Sequence, residues 1–159
     1  MIEKLARLFG HVDYDLTIPE MLLKAEIVDT FDYFDDQHFG HFRNWGHGVV
    51  NREVLICRFH RPMWEVERDW MRPVGFQYAD AAVLLQVCAH ERTLNFEIMA
   101  NGTNYPLGAN TGWVYASGIP TLIPAKRKVI LTAHYSNKKS GLYSDGSGKI
   151  FALMSRTTK

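Results

Sequence analysis

β-Branched and aromatic residues fall into short runs through much of the chain after residue 53. In 94–98, apolar residues also recur at every second position, which is the period of a half-buried β-strand. Turn sequences rich in Gly and Asn separate these runs, and Asn101-Gly102 predicts a type I′ hairpin. The predicted strands are residues 53–60, 81–91, 94–98, 113–119, 128–136, 141–144 and 149–155. This spacing predicts a mainly β fold, either an antiparallel β-sandwich or a distorted barrel of about seven strands.

The segment 81–91 differs from the other predicted strands because it is apolar at consecutive positions. Such a run predicts a central strand that is buried on both faces. In the strand 53–60, the side chains of Val54 and Ile56 should lie on the face opposite to that of Cys57. The expected core of the sheet is Val83, Leu85, Val87, Leu94, Phe96, Ile98, Val129, Leu131 and Ala133.

The first 34 residues predict two short helices. In the first, which should end at Gly10, apolar residues recur every three or four positions. These residues are Ile2, Leu5, Ala6 and Phe9. The second helix begins with a capping box, Thr17-Ile18-Pro19-Glu20, in which the Thr17 hydroxyl accepts a hydrogen bond from the Glu20 amide. It should continue to about residue 30 or 34.

At 159 residues the chain is long enough for one domain with its own apolar core. We divide this single domain, 1–159, into a helical region (1–34), a segment rich in aromatic residues and histidine that includes the first strand (35–75), and a β-sandwich core (76–159). Residues 63–71 fit either a helical turn or a loop.

Composition and charge narrow the classes of function. The chain is 47% hydrophobic and 22% charged, so it should fold rather than remain disordered. Its formal net charge of +1 gives no electrostatic reason to expect nucleic acid or an anionic membrane as a partner. Because no apolar run matches a secretion signal or a membrane-spanning segment, we expect neither export nor insertion into a membrane.

The chain contains two cysteines, Cys57 and Cys88, and both fall within predicted strands. We expect them to be reduced and buried, as small apolar side chains of the core. A disulfide between them would require their two strands to be neighbours in the sheet.

The segment 29–47 carries the side chains that best suit a metal ion. Its aspartates and histidines are close in sequence, and carboxylate and imidazole together suit zinc, manganese or iron. The ligands of such a site would be Asp36, His38, His41 and His47. We favour a simpler interpretation, in which the aspartates face solvent on a helix and the histidines form hydrogen bonds in a loop. On that interpretation the protein has no metal and no other cofactor.

The sequence Asp36-Gln37-His38-Phe39-Gly40-His41 resembles the first metal motif of the calcineurin-like phosphoesterases. This resemblance implies a metal-dependent hydrolase. The later motifs of that family, Gly-Asp-x-x-Asp and Gly-Asn-His followed by Asp or Glu, are absent from the sequence. A Gly-x-Ser-x-Gly nucleophile motif is absent as well. We therefore assign no catalytic residues and retain the hydrolase as the second alternative.

Aromatic residues in segments of low periodicity indicate contact with a partner. The first predicted helix is too short to be stable alone, so its apolar side chains should pack on another surface. The polar C-terminal tail has no apolar side chain to fix it. The interface candidates are Leu5, Phe9, Trp45, Trp64, Trp113, Arg156 and Lys159.

These features favour a non-enzymatic structural protein that works within an assembly. Its most specific form is a small virion component of a bacteriophage, such as a capsid-decoration, head–tail or tail protein. Its partners would be copies of itself or other subunits, and its location would be the virion, or the host cytoplasm before assembly. The first alternative is a β-sandwich module that binds carbohydrate, such as a surface glycan, or another ligand.

Overall fold

The computed structural model describes residues 2–24, 29–32, 46–88, 96, 98–106, 113–119, 128–134 and 146–156. Its strands are β1 (Ile2–Asp13), β2 (Asp29–Asp32), β3 (Val49–Phe59), β4 (Phe76–Tyr78), β5 (Ile98–Pro106), β6 (Trp113–Ile119), β7 (Lys128–His134) and β8 (Ile150–Ser155). Its helices are α1 (Ile18–Lys24), α2 (Met63–Val66), which continues as a π-helical turn (Glu67–Met71), and α3 (Ala81–Gln86).

The described strands form one sheet in the order β1-β3-β8-β5-β6-β7-β2, and β4 also pairs with β8. Most neighbours are antiparallel, whereas β2 with β7 and β5 with β8 are parallel. The prediction of a mainly β fold is therefore confirmed. The predicted barrel is wrong, because β1 and β2 lie at opposite ends of the strand order and the sheet is open. The seven-strand sandwich is not confirmed.

Strands β3 and β8 are neighbours inside the sheet, and apolar side chains are buried on both of their faces. Val54 and Ile56 of β3 pack with α3 on one side, which we call the first face. Leu55, Cys57 and Phe59 pack on the opposite side, the second face, against Val66 of α2 and Met71 of the π-helical turn. The predicted division of this strand into two faces is confirmed. All six residues of β8 are buried, so the alternation of apolar and polar residues disappears there.

The predicted N-terminal helix is wrong, since residues 2–13 form strand β1 and pair with β3. A β-bulge between Lys4 and Ala6 inserts Leu5 as an extra residue in the ladder. Leu5 and Ala6 therefore both pack against the first-face core, whereas Ile2 packs against the second-face core. This change of face produced the spacing of three and four residues that imitates a helix.

The predicted central strand at 81–91 is also wrong, because its described part begins with helix α3. Asp80 caps this helix, and its Oδ1 accepts a 2.9 Å hydrogen bond from the Val83 amide. A continuous apolar run is compatible with a buried helix as well as with a buried strand, and the Asp80 cap distinguishes the two. Cys88 consequently follows a helix rather than lying in a strand, although it is buried as expected.

The capping box of α1 is confirmed. The Glu20 amide donates to the Thr17 hydroxyl at 3.3 Å, and that hydroxyl lies 2.9 Å from Glu20 Oε1. The predicted end of the helix is wrong, because α1 ends at Lys24 and Asp29–Asp32 forms the parallel strand β2. Residues 29–32 form backbone hydrogen bonds with β7 instead of helical hydrogen bonds. The local pattern of apolar residues does not indicate a partner so distant in sequence.

The predicted hairpin at Asn101-Gly102 is wrong, because both residues lie inside β5. The pairing of β5 with β6 is irregular between Ala100 and Asn104, and the Gly102 amide donates to the Ala79 carbonyl at 2.8 Å. A Cβ atom at Gly102 would lie 2.5 Å from the Tyr78 carbonyl oxygen. Glycine is therefore needed for close approach of two backbones rather than for a turn.

Several other predictions are confirmed. Strands β6, β7 and β8 lie where their periodicity predicted them, and residues 146–149 form a turn before β8. Residues 63–71, whose state the sequence left open, are helical. Of the expected core, Val83, Leu85, Val87 and Ile98 are buried and Phe96 is partly buried. Leu94 and the predicted strand 141–144 lie outside the described residues, as do the side chains of Val129, Leu131 and Ala133.

Candidate functional site

A cleft opens on the second face of the sheet, beside strand β1, and we call it the edge cleft. Its volume is about 560 Å³. One wall comes from β1 and β3, and the other from the π-helical turn, the loop after it and β4. The lining residues are Lys4, Leu5, Ala6, Arg7, Glu53, Leu55, Trp70, Val74 and Phe76.

Two stacked aromatic rings form one wall of the edge cleft. The ring centroids of Trp70 and Phe76 are 6.5 Å apart and their planes differ by 17°. The Nζ atom of Lys4 lies 5.8 Å from the centroid of the Trp70 ring, within the range of a cation–π contact. Lys4, which belongs to β1 in the opposite wall, therefore brings a positive charge to this apolar wall.

The opposite wall carries an ion pair beside an exposed aromatic ring. Arg7 Nη2 lies 2.6 Å from Glu53 Oε1, and Arg7 Nε donates to the same oxygen at 2.7 Å. The Arg7 guanidinium also lies 5.1 Å from the centroid of the Phe9 ring. Phe9 is 64% exposed although it belongs to a strand. A large apolar side chain thus remains in solvent next to the cleft.

The local fold explains how these side chains meet. The bulge at Leu5 returns Arg7 and Phe9 to the second face, because directly opposed residues share a face and Arg7 opposes Leu55. The π-helical turn supplies Trp70, and the Tyr78 hydroxyl donates to Glu67 Oε1 at 2.7 Å, which joins that turn to β4. Burial, and then the neighbouring Glu67 carboxylate, raise the pKa of Tyr78. The Tyr78 hydroxyl therefore stays protonated and keeps donating.

A second polar group, formed by Tyr14, Arg52 and Asp80, lies on the first face and is buried. The Tyr14 hydroxyl donates to Asp80 Oδ2 at 2.8 Å and lies 3.3 Å from Arg52 Nε. Arg52 Nη1 donates to the Ser155 carbonyl at 3.2 Å. Burial is the main cause that raises the pKa of both Tyr14 and Asp80. All three side chains are at least nine-tenths buried, so this network joins elements of the fold instead of meeting a substrate.

The structure places some of the predicted interface residues and not others. Trp64 on α2 is 58% exposed, and the Arg68 guanidinium lies 5.2 Å from its ring centroid. Leu5 is partly buried against the first-face core, and Arg156 is exposed after β8. Trp113 opens β6, and nothing is described of its side chain. Trp45 and Lys159 lie outside the described residues.

The predicted metal ligands remain largely untested. His47 is exposed, and Asp36, His38 and His41 lie outside the described residues. Within the described ranges, no group of three or more His, Cys, Asp or Glu side chains is arranged to hold a metal ion.

Sequence reasoning missed most of the edge cleft. Phe9 was a predicted contact residue, but Lys4, Arg7, Trp70 and Phe76 were not recognised as its neighbours. They come from three separate segments of the chain. The pairing of β1 with β3, and the packing of the π-helical turn and β4 on the second face, bring them together. The available signal was incomplete: Arg7 and His11 are followed by the apolar Leu8 and Val12, but Phe9 interrupts the period of a strand.

Comparison of the chain with protein-family models, curated proteins and solved structures found no match. Among the helices that the structure describes, none is long and apolar enough to cross a membrane.

Proposed function

We propose that this chain is a non-enzymatic structural subunit that works within a larger assembly, and that its setting is a bacteriophage virion. The observation that supports an assembly role is the exposed Phe9 ring beside the edge cleft, on a strand at the end of the sheet. The virion setting, as a capsid-decoration, head–tail or tail protein, is the most specific form of this proposal.

The chemistry of the edge cleft resembles that of protein interfaces. Aromatic residues and arginine are enriched in such interfaces, because they bury a large area and lose little conformational entropy. Here Phe9, Trp70 and Phe76 lie beside Arg7, and Val74 adds an apolar side chain that is 47% exposed. A partner that covered these side chains would remove apolar surface from water, at about 25 cal/mol for each Å².

The polar chemistry of the described residues supports a structural role over catalysis. The network of Tyr14, Arg52 and Asp80 is the best-connected group of ionisable side chains, and it is closed to solvent. The ionisable groups of the edge cleft include the exposed Arg7 and the largely buried Glu53, which neutralise one another. A general acid or base must reach its substrate. The buried network does not reach solvent, and the carboxylate of Glu53 is already paired with Arg7.

The mass of the purified full chain in solution tests the assembly proposal. We expect light scattering and sedimentation velocity to show a species heavier than the monomer, with a population that grows with protein concentration. Trp70→Ala should weaken this association if the edge cleft takes part, whereas Val49→Ala removes an exposed apolar side chain outside the cleft and serves as the control. A monomer at every concentration would count against the proposal.

The edge cleft also supports a second candidate function, the binding of a carbohydrate or another ring-shaped ligand. The stacked Trp70 and Phe76 rings form an apolar wall within a cleft of about 560 Å³. Tryptophan fluorescence during titration with a panel of glycans tests this candidate. A saturable change that disappears in Trp70→Ala and persists in Trp64→Ala would favour ligand binding over assembly.

A further inference from the structure

One edge of strand β1 is unpaired in the described sheet, because β1 is the last strand in the order. Backbone groups of successive residues in an antiparallel ladder point to opposite edges. The Tyr14 amide points toward the β3 side, since it donates to the Gly48 carbonyl at 2.9 Å. By this alternation, Arg7, Phe9 and His11 point their amides and carbonyls away from β3. No hydrogen bond from another described residue reaches these outward groups.

The free part of this edge has two defined ends. At one end, the Gln86 side chain binds both outward groups of Asp13: Oε1 accepts from the amide at 2.8 Å, and Nε2 donates to the carbonyl at 2.9 Å. At the other end, the bulge at Leu5 interrupts the ladder. The free edge therefore comprises residues 6–12, and Phe9 is its middle residue.

We propose that β1 of a second copy of this chain pairs with the free edge, antiparallel and about a two-fold axis at Phe9. This inference rests on the assembly function proposed above and names its partner. In this register Phe9 opposes Phe9 of the second copy, and Arg7 opposes its His11. Every outward amide and carbonyl of these three residues then pairs with the second copy. An axis at Gly10 would instead place Arg7 opposite Asp13, whose outward groups Gln86 already binds.

The side chains of the second face fit the same register. The two Phe9 rings lie opposite one another and cover the apolar area that is exposed in one copy. Because the bulge makes Lys4 the ladder neighbour of Ala6, Lys4 opposes Asp13 of the second copy, and the two charges are opposite. Arg7 is already paired with Glu53 in its own chain, so it brings no unpaired charge to His11.

Two variants test the proposed pairing by its effect on dimer mass in sedimentation velocity. Phe9→Lys places two like charges on the axis, and His11→Pro removes an amide that points outward. We expect each variant to weaken the dimer by at least about tenfold, since one lost bond or contact of about 1.4 kcal/mol corresponds to that factor. Val49→Lys is the control, because Val49 has the same 64% exposure as Phe9 but lies at the start of β3.

A cross-linking experiment tests the register itself. Phe9→Cys should form a covalent dimer with a short bis-maleimide, because the axis brings the two thiols together. Val49→Cys should not form one, and the native Cys57 and Cys88 are buried. Mixed Arg7→Cys and His11→Cys chains should cross-link with each other more readily than either does with itself.

The outcomes separate this inference from the assembly function. A dimer or larger species that persists in Phe9→Lys and His11→Pro, with no cross-link at Phe9→Cys, would overturn the β1 pairing and leave the assembly proposal intact. A wild-type chain that remains monomeric at every concentration would overturn both.

Discussion

The Tyr14 hydroxyl donates a 2.8 Å hydrogen bond to Oδ2 of Asp80, and this bond joins the end of β1 to the start of α3. The other carboxylate oxygen of Asp80 accepts from the Val83 amide, so one buried side chain caps the helix and holds the strand. Arg52 adds a bond to the Ser155 carbonyl at the end of β8. The network thereby fixes the position of β1, the strand that carries Phe9 and one wall of the edge cleft.

Tyr14→Phe should lower the free energy of unfolding by about 1–3 kcal/mol, because Asp80 loses a buried hydrogen-bond donor while the aromatic ring is kept. Urea unfolding monitored by circular dichroism measures the change. If the variant unfolds at the wild-type urea concentration, the hydroxyl contributes nothing to stability and the network does not hold β1.

Asp80 should also make stability depend on pH. Its burial raises the pKa of the carboxyl above the ordinary 3.8, against opposing effects of the Val83 amide, the Tyr14 hydroxyl and the Arg52 guanidinium. Because the folded pKa is higher than the unfolded one, the stabilising contribution is complete below about 3.8 and is lost as the pH rises through the folded pKa. We therefore expect the wild type to lose stability relative to Asp80→Asn as the pH rises from about 4 through the folded pKa.

Urea unfolding of the wild type and Asp80→Asn across this pH range checks the expectation. The stability difference between the two proteins should change in one direction only as the pH rises. A constant difference would show that Asp80 has the same pKa in the folded and unfolded chains.

The sequence pattern predicted the strands in which the spacing of apolar residues is regular. It failed where a contact with a distant segment changes that spacing. The division of β3 into two faces followed from alternation alone. The bulge at Leu5 broke the alternation of β1, and the burial of α3 removed the polar stripe that would have marked a helix. In both cases the deciding information was a contact with a distant segment, which local sequence does not contain.

The candidate site was predictable only in part for the same reason. The sequence named Phe9 as an interface candidate, although it placed this residue on a helix instead of strand β1. The edge cleft required knowledge that β1 lies beside β3 and that the π-helical turn brings Trp70 to the same face. Nothing in the spacing of Lys4 and Trp70 along the chain indicates that they meet.

Gly102→Ala should destabilise the fold. Glycine inside a strand usually weakens that strand, so its replacement by alanine would ordinarily be expected to stabilise it. The new Cβ would lie 2.5 Å from the Tyr78 carbonyl oxygen and 2.7 Å from that of Ala79, and backbone atoms cannot turn aside as a side chain can. We expect the free energy of unfolding to fall by about 1–3 kcal/mol, as measured by thermal or urea unfolding.

Gly148→Asn provides the comparison for Gly102→Ala. Gly148 has a φ of +80°, and a Cβ atom added there would have no atom of the described residues within 4 Å. Asn tolerates this backbone conformation better than most residues, so Gly148→Asn should lower the free energy of unfolding by less than about 1 kcal/mol. Equal losses at the two glycines would mean that the β5 backbone moves away from β4 to make room.

The two cysteines should be unreactive in the folded chain and reactive after unfolding. Burial raises the pKa of Cys57 to about 11, and the positive charge of Lys4 offsets only part of that effect. The thiolate is the reactive form, so at pH 8 Cys57 stays almost wholly protonated as well as shielded. An aromatic disulfide reagent should label neither Cys57 nor Cys88 at first and both after addition of guanidinium chloride. Rapid labelling of one thiol in the native chain would show that its segment opens locally, and the modified residue would identify where.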